Sequence, residues 1–265
     1  MNTCIICKHK VWPICRSCAK NPFLVEKTRQ VLADFNKFDA LKKTYNLKYA
    51  EIKNLNTSSF WNRKYYQDTT LKNQDGMTRD RVKTAYKFLP KTAKEILDIG
   101  AGKGFIEELL TGEDIRILGN DISEVSVKNL KSKFKGQFRK ESIYTMKYPE
   151  KSFDAIFALE VLEHIPPSRI MKVLKKIYRL LKNKGTFILS VPTNEGLEKM
   201  KENPSGHVRT YTENLISAEL RIAGFKVHKL KTLSAFKNLY PLKKQLSKII
   251  KNRWEANDII LKAQV

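Results

Sequence analysis

The chain has 265 residues, 42% of them hydrophobic and 29% charged; this usage supports one α/β-sized domain with or without a small appendage and excludes a disulfide-only scaffold and a disordered chain. No apolar run reaches the roughly 18 residues that a membrane-crossing helix needs, and the first residues lack the basic-then-apolar layout of a secretory leader, so the expectation is a cytoplasmic protein. The 51 Lys and Arg against 27 Asp and Glu give a net charge of +24, enough to draw RNA or an anionic membrane surface, although only 12 of the basic residues are Arg, the residue of bidentate phosphate recognition.

All the cysteines sit at the start of the chain, as Cys4, Cys7, Cys15 and Cys18. Two C-x2-C turns separated by seven residues supply four thiolates in the manner of a structural zinc site, and a reducing compartment favours metal over disulfides. A redox pair or idle cysteines are the alternatives. The expected unit is a small zinc knuckle or ribbon over residues 1–20. Residues 21–94 follow as a helical extension or lid: Leu24, Val31, Leu32, Phe35 and Phe38, then Val82, Tyr86 and Leu89, recur at helical spacing. The cluster Phe60, Trp61, Tyr65 and Tyr66 reads as packing or as part of a substrate lid.

From 95 onward short apolar runs alternate with helical stretches, the pattern of βαβ units and a parallel sheet. Strands are expected at 95–99, 115–119, 137–141, 153–159, 186–191, 225–230 and 258–263. Helices are expected at 105–110, 124–133, 168–181 and 212–223, the last ended by Gly224. The fold class is therefore α/β: a Rossmann-like, seven-stranded, mostly parallel sheet with helices on both faces, over residues 95–265. A basic helical insert at about 232–256 precedes the last strand. From residue 226 to the end there are ten Lys and Arg against two Asp and Glu, and Leu239, Leu242, Leu246, Ile249 and Ile250 share helical spacing beside Lys243, Lys244, Lys248 and Lys251. Such a segment is either a basic helix for a membrane or phosphate surface, or a solvated surface helix.

The stretch 95–110 carries the first chemistry. A buried strand ends at Asp98, and Gly100, Ala101, Gly102, Lys103 and Gly104 turn into a helix. Glycines there let a ligand lie against backbone N–H groups at a helix start. Phe105 and Ile106 follow, so the full dinucleotide fingerprint is missing and a nicotinamide enzyme is disfavoured. The next strand ends in Asp121, a carboxylate about twenty residues past the loop and suited to a ribose.

With these motifs in order, and with FDAIFALEVLEHI and KGTFILSVP after them, the chain resembles the class I S-adenosylmethionine-dependent methyltransferases over about residues 76–230, most closely the broad group with small-molecule and quinone-type substrates. The resemblance implies S-adenosyl-L-methionine as cofactor, with Gly100, Gly102 and Gly104 around its methionine part, Asp98 near its amino group and Asp121 on the ribose. The family's adenine-side carboxylate falls on Ser142, with Glu141 before it and Ile143 after it. Glu160 would face the methionine end, His164 is a candidate general base on a substrate hydroxyl, and His207 is a further substrate-side candidate. The run EVLEH and the later His207 also resemble the Glu, Glu, His, His metal site of terminal ribose methyltransferases, so that Glu160, Glu163, His164 and His207 would hold Mg²⁺, Mn²⁺ or a similar ion. Arg209 and Tyr211 are candidates for anion or aromatic contact, or ordinary packing residues.

The expected function is methyl transfer to a small-molecule, lipid-like or sugar-like acceptor, at oxygen. The alternatives are an RNA ribose or protein methyltransferase, for which the zinc unit and positive charge provide docking, and a non-catalytic zinc-containing binding module.

Overall fold

The computed structural model describes residues 52–66, 69–195, 203–236, 238–250 and 254–265. The four cysteines and the helices expected within 21–51 lie outside them.

Seven strands, β1 (Glu95–Ile99), β2 (Arg116–Asp121), β3 (Gln137–Lys140), β4 (Phe153–Leu159), β5 (Leu181–Pro192), β6 (Lys226–Leu233) and β7 (Asp258–Gln264), form one sheet in the order β3-β2-β1-β4-β5-β7-β6. Neighbours from β3 to β5 are parallel, and β7 runs antiparallel to both β5 and β6. The central strands read as continuous Ile, Leu, Phe and Ala because both faces are covered.

Around the sheet lie α1 (Ser58–Tyr65), α2 (Gly76–Phe88), α3 (Phe105–Leu110), α4 (Glu124–Lys133), α5 (Pro167–Leu180), α6 (Glu213–Ala223) and α7 (Tyr240–Ile249). One face is covered by α2, α3 and α4 through Val82, Ala85, Ile106, Val127 and Leu130. The other is covered by α5 and α6 through Ile170, Leu174, Ile177, Leu215 and Ile216.

Local chemistry sets the ends of these helices. Ser123 and Thr212 cap α4 and α6 by accepting from Ser126 N and Leu215 N, and Gly224 ends α6 at φ 110°, as its position in the sequence predicts. β5 begins at Leu181 rather than at 186: Leu181 pairs with Phe153, so the apolar residue expected to close α5 opens the strand instead. Helix α2, placed by sequence in the extension, packs against β5, β6 and β7 and is part of the sheet's covering layer. Strand order reverses between β1 and β4, and a cleft at such a point, beyond the carboxyl ends of the strands, is where open α/β sheets take ligands.

Candidate active site

A cavity of about 340 Å³ opens there, floored by Ile99, Gly100, Asn120, Asp121 and Ile122 and walled by Glu141, Ser142, Ile143 and Tyr144. Glu160, Val161, His164 and Ile165 line a third side, and Trp61 and Tyr65 of α1 close a fourth.

The glycine loop has definite physical causes. Gly100, Gly102 and Gly104 all have positive φ, at 68°, 56° and 77°, where a side chain is strained. Only Gly100 lines the cleft. A Cβ on Gly104 would stand 2.5 Å from the Phe134 ring, so that glycine lets α3 approach the end of α4. A Cβ on Gly102 would meet the Tyr65 hydroxyl at 3.1 Å.

Asp121 ties the loop down: its carboxylate accepts from Gly102 N at 3.0 Å and from Ser123 N at 2.7 Å. Burial pushes its pKa up to about 6 in spite of those donors. Asp98 is buried beneath the loop, does not line the cleft, and is pushed well up by burial and by the neighbouring Glu107 and Asp121. Ser142 lines the wall and accepts from Tyr144 N, while the adjacent Glu141 brings a buried carboxylate oxygen with no hydrogen-bond partner, the stronger polar group on that wall.

The EVLEH segment does not form the α-helix that would set Glu160, Glu163 and His164 on one face. It makes a single 3-10 turn over Leu162–His164, preceded by Glu160 at φ 56°, a left-handed backbone that is uncommon outside glycine. Glu160 therefore diverges. Its carboxylate accepts from Ser190 Oγ at 2.8 Å and pairs with Arg81 of α2 at 3.1 Å, and Arg81 also pairs with the buried Asp258 at 2.9 Å.

Glu163 turns the other way and meets two histidines. Its Oε1 lies 3.7 Å from His164 Nε2 and 3.9 Å from His207 Nε2, and one ligand atom from each residue falls within 4.8 Å of the other two. His164 Nδ1 is 3.2 Å from the Gly206 carbonyl, and His207 Nδ1 is 2.7 Å from Glu195 Oε2. These partners only accept, so each Nδ1 carries a proton, and in the neutral ring it is Nε2, the lone-pair side, that faces Glu163. Burial and the neighbouring His207 push the His164 pKa down to about 3, so it stays neutral. Glu163 is fully buried with neither oxygen hydrogen-bonded, and burial, then the charges of Glu160, Glu195 and Asp258, push its pKa well up. A buried carboxylate facing two imidazole lone pairs, with outer hydrogen bonds fixing both rings, is the donor set of a divalent-cation site. Of the four residues expected from sequence to hold a metal, Glu163, His164 and His207 come together and Glu160 does not.

Arg209 and Tyr211 stand away from the cleft. Arg209 grips Glu219 through both carboxylate oxygens, at 2.7 and 3.2 Å, and the Tyr211 hydroxyl donates to the same carboxylate at 3.1 Å. All three are buried, and they lock α6 to the loop after β5.

The rim that sequence reasoning left open is α1. Asn62 Oδ1 accepts from Ser123 Oγ at 2.8 Å, Asn56 donates to the Gly206 carbonyl at 2.7 Å, and the Trp61 ring stands edge-on to His164 at 4.8 Å. Trp61 and Tyr65 were legible as a possible lid; Asn56, Asn62 and Arg81 carried no local signal, since their partners lie far along the chain.

Residues 97–189 match the family model described as a methyltransferase domain. The 27-O-demethylrifamycin SV methyltransferase of Amycolatopsis mediterranei is 27% identical over 188 residues, 65% of this chain and 68% of that protein. The chain is an S-adenosylmethionine-dependent methyltransferase. Two solved structures share its fold: a SAM-dependent methyltransferase from Archaeoglobus fulgidus, with a TM-score of 0.59 and 20% identity over 74% of this chain and 96% of that one, and the N-methyltransferase NodS from Bradyrhizobium japonicum in complex with S-adenosyl-L-homocysteine, with a TM-score of 0.61 and 14% identity over 79% and 98%.

The methyltransferase's cleft suits its cofactor: bare backbone at Gly100, carboxylates at Asp121 and Glu141, and the apolar walls Ile122 and Ile143. Bound there, the cofactor supplies a methyl group already activated on a sulfonium, which leaves the protein mainly to align the reactants and exclude water.

Proposed function

We propose that this methyltransferase acts on a hydroxyl oxygen of a small-molecule, lipid-like or sugar-like acceptor, with a divalent cation held by Glu163, His164 and His207. The observation that carries the reading is the unpartnered, buried Glu163 carboxylate facing two imidazole lone pairs beside the cleft. Two imidazoles and one carboxylate suit Mn²⁺, Zn²⁺ or a similar ion better than Mg²⁺, and three protein ligands leave positions for a substrate. A cation there would lower the pKa of an acceptor hydroxyl. Trp61, Tyr65 and Tyr144 would shield the acceptor from water, and Glu195 and Gly206 would hold the imidazole rings in place. The cited relative, named for 27-O-demethylrifamycin SV, supports a small-molecule acceptor.

A second reading, transfer to an RNA ribose hydroxyl, is favoured by the net charge of +24 and would use the same hydroxyl-activating groups. From the sequence spacing alone we further propose that Cys4, Cys7, Cys15 and Cys18, which lie outside the described residues, hold a structural zinc.

Purified protein incubated with methyl-labelled S-adenosylmethionine and a cell extract should place label in the organic-soluble or small polar fraction; label in RNA favours the second reading. Elemental analysis separates the metals. Cys4→Ser with Cys7→Ser should remove about one zinc per chain, while His164→Ala with His207→Ala should remove a second ion together with activity on the identified acceptor. A wild-type enzyme that keeps full activity with no second ion bound would refute the cation.

A further inference from the structure

Helix α7 is built inside out. Successive residues of a helix turn by about 100°, so Leu239 at the cap, Leu242, Leu246, Ile249 and Ile250 fall in one sector. All five are exposed, Ile249 at 78% and Leu239 at 66%. The helix meets the body through its polar side. The Tyr240 hydroxyl donates to Asp80 at 2.7 Å and Lys244 pairs with the same carboxylate at 2.5 Å. Lys244, the Tyr240 hydroxyl and Lys231 hold Asp80 below the usual carboxylate range against its partial burial. The Tyr240 ring sits over Gly76, where any Cβ would stand 2.3 Å from it. An ordinary surface helix would show the opposite arrangement, with leucines inward and lysines outward.

The surroundings of this apolar stripe are basic. The sheet-edge strand β6 exposes Lys226, Lys229 and Lys231, Lys243 borders the stripe on α7, and residues from 226 onward carry ten Lys and Arg against two Asp and Glu. Five of the eight large apolar side chains exposed among the described residues belong to this stripe.

We propose that α7 and the β6 edge form a docking surface for an anionic lipid interface, with the apolar stripe in the acyl boundary and the lysines among the headgroups. Three partners are physically distinct here. A second copy of the chain would bring another +24 against the same lysines, and like charge opposes that contact. A polyanion such as RNA would satisfy the lysines and leave the leucines and isoleucines in water. An anionic membrane surface satisfies both, since an interfacial helix binds by apolar insertion together with attraction to acidic headgroups. Among the described residues no helix is long and apolar enough to cross a membrane, so the association would be peripheral. Such docking would give the enzyme access to acceptors dissolved in the bilayer, but it does not depend on what the acceptor is.

The test is flotation of the full chain with vesicles of phosphatidylcholine alone and with vesicles of phosphatidylcholine and phosphatidylglycerol. The wild type should float with the acidic vesicles only, and less so as salt rises. Leu242→Gln with Ile249→Gln, both solvent-facing and remote from the cleft, should weaken binding by about tenfold or more while leaving turnover of a soluble acceptor unchanged. Lys226→Gln with Lys243→Gln should weaken it as well. Failure of the wild type to bind acidic vesicles overturns the proposal. So does binding that survives the leucine and isoleucine changes and is lost only with the lysines, the behaviour of a general polyanion site. A wild-type dimer that those leucine and isoleucine changes convert to a monomer would assign the face to a second copy, and would likewise overturn it.

Discussion

Glu107 on α3 and Asp98 on β1 are buried against each other beneath the glycine loop, and neither Glu107 oxygen has a donor among the described residues. The two carboxyls are best accommodated with a proton between them, and burial pushes the Glu107 pKa from an ordinary 4.5 up to about 7 even though the hydrogen bond shared with Asp98 pulls it down. The sign follows from linkage. A folded-state pKa above the unfolded value means the native state holds the proton more tightly; this stabilisation is complete below about pH 4.5 and is lost as pH rises through about 7. At about 1.4 kcal/mol per pH unit the loss is roughly 3 kcal/mol or slightly more. Glu107→Gln keeps the shape, cannot ionise, and donates an amide N–H to Asp98. In urea titrations without cofactor, the variant should resemble the wild type at about pH 5 and exceed it by up to about 3 kcal/mol at about pH 8. The same stability difference at both pH values would refute the shared proton.

Further outcomes follow from the contacts around the cleft. Tyr211→Phe should cost about 1–2 kcal/mol by removing one donor from buried Glu219, and Arg209→Met about 3–5 kcal/mol by leaving that carboxylate buried and unpaired; both are read from thermal or urea melts, with the affinity for S-adenosyl-L-homocysteine unchanged because neither residue lines the cleft. Trp61→Ala should leave the melting temperature nearly unchanged, since α1 has no buried residues, but should weaken S-adenosyl-L-homocysteine binding by about tenfold in calorimetry through loss of the cleft's aromatic wall; undiminished affinity would remove α1 from the site.

Much of the fold could be read along the chain. Mainly apolar runs at 95–99 and 153–159, separated by helical stretches, point to a doubly covered parallel sheet because such a sheet buries both faces of its strands. The glycine loop and Asp121 were legible for a similar reason: both sit at strand ends, where local spacing and backbone conformation determine their positions. Ser142 and Ile143, placed by the family resemblance, line the cleft wall just beyond the end of β3.

What local pattern could not supply was direction across long separations. Glu160 and Glu163 have the spacing of one helical face, yet a left-handed Glu160 and a 3-10 turn send the first toward Arg81 and the second toward His207. Arg209 has the composition of an anion-binding residue and instead serves Glu219 inside the protein. The amphipathic pattern of α7 was plain, but such a pattern says only that one side is apolar. Which side faces the body depends on Asp80, whose carboxylate holds Tyr240 and Lys244. Sequence alone determined the sheet and the loop, because periodicity and backbone conformation are properties of neighbouring residues, while its ordered motifs carried the family resemblance that implied the reaction class. Only the tertiary structure decided the meeting of Glu163 with His164 and His207, the buried carboxyl pair and the outward apolar stripe, because each depends on partners that chain folding brings together from distant positions.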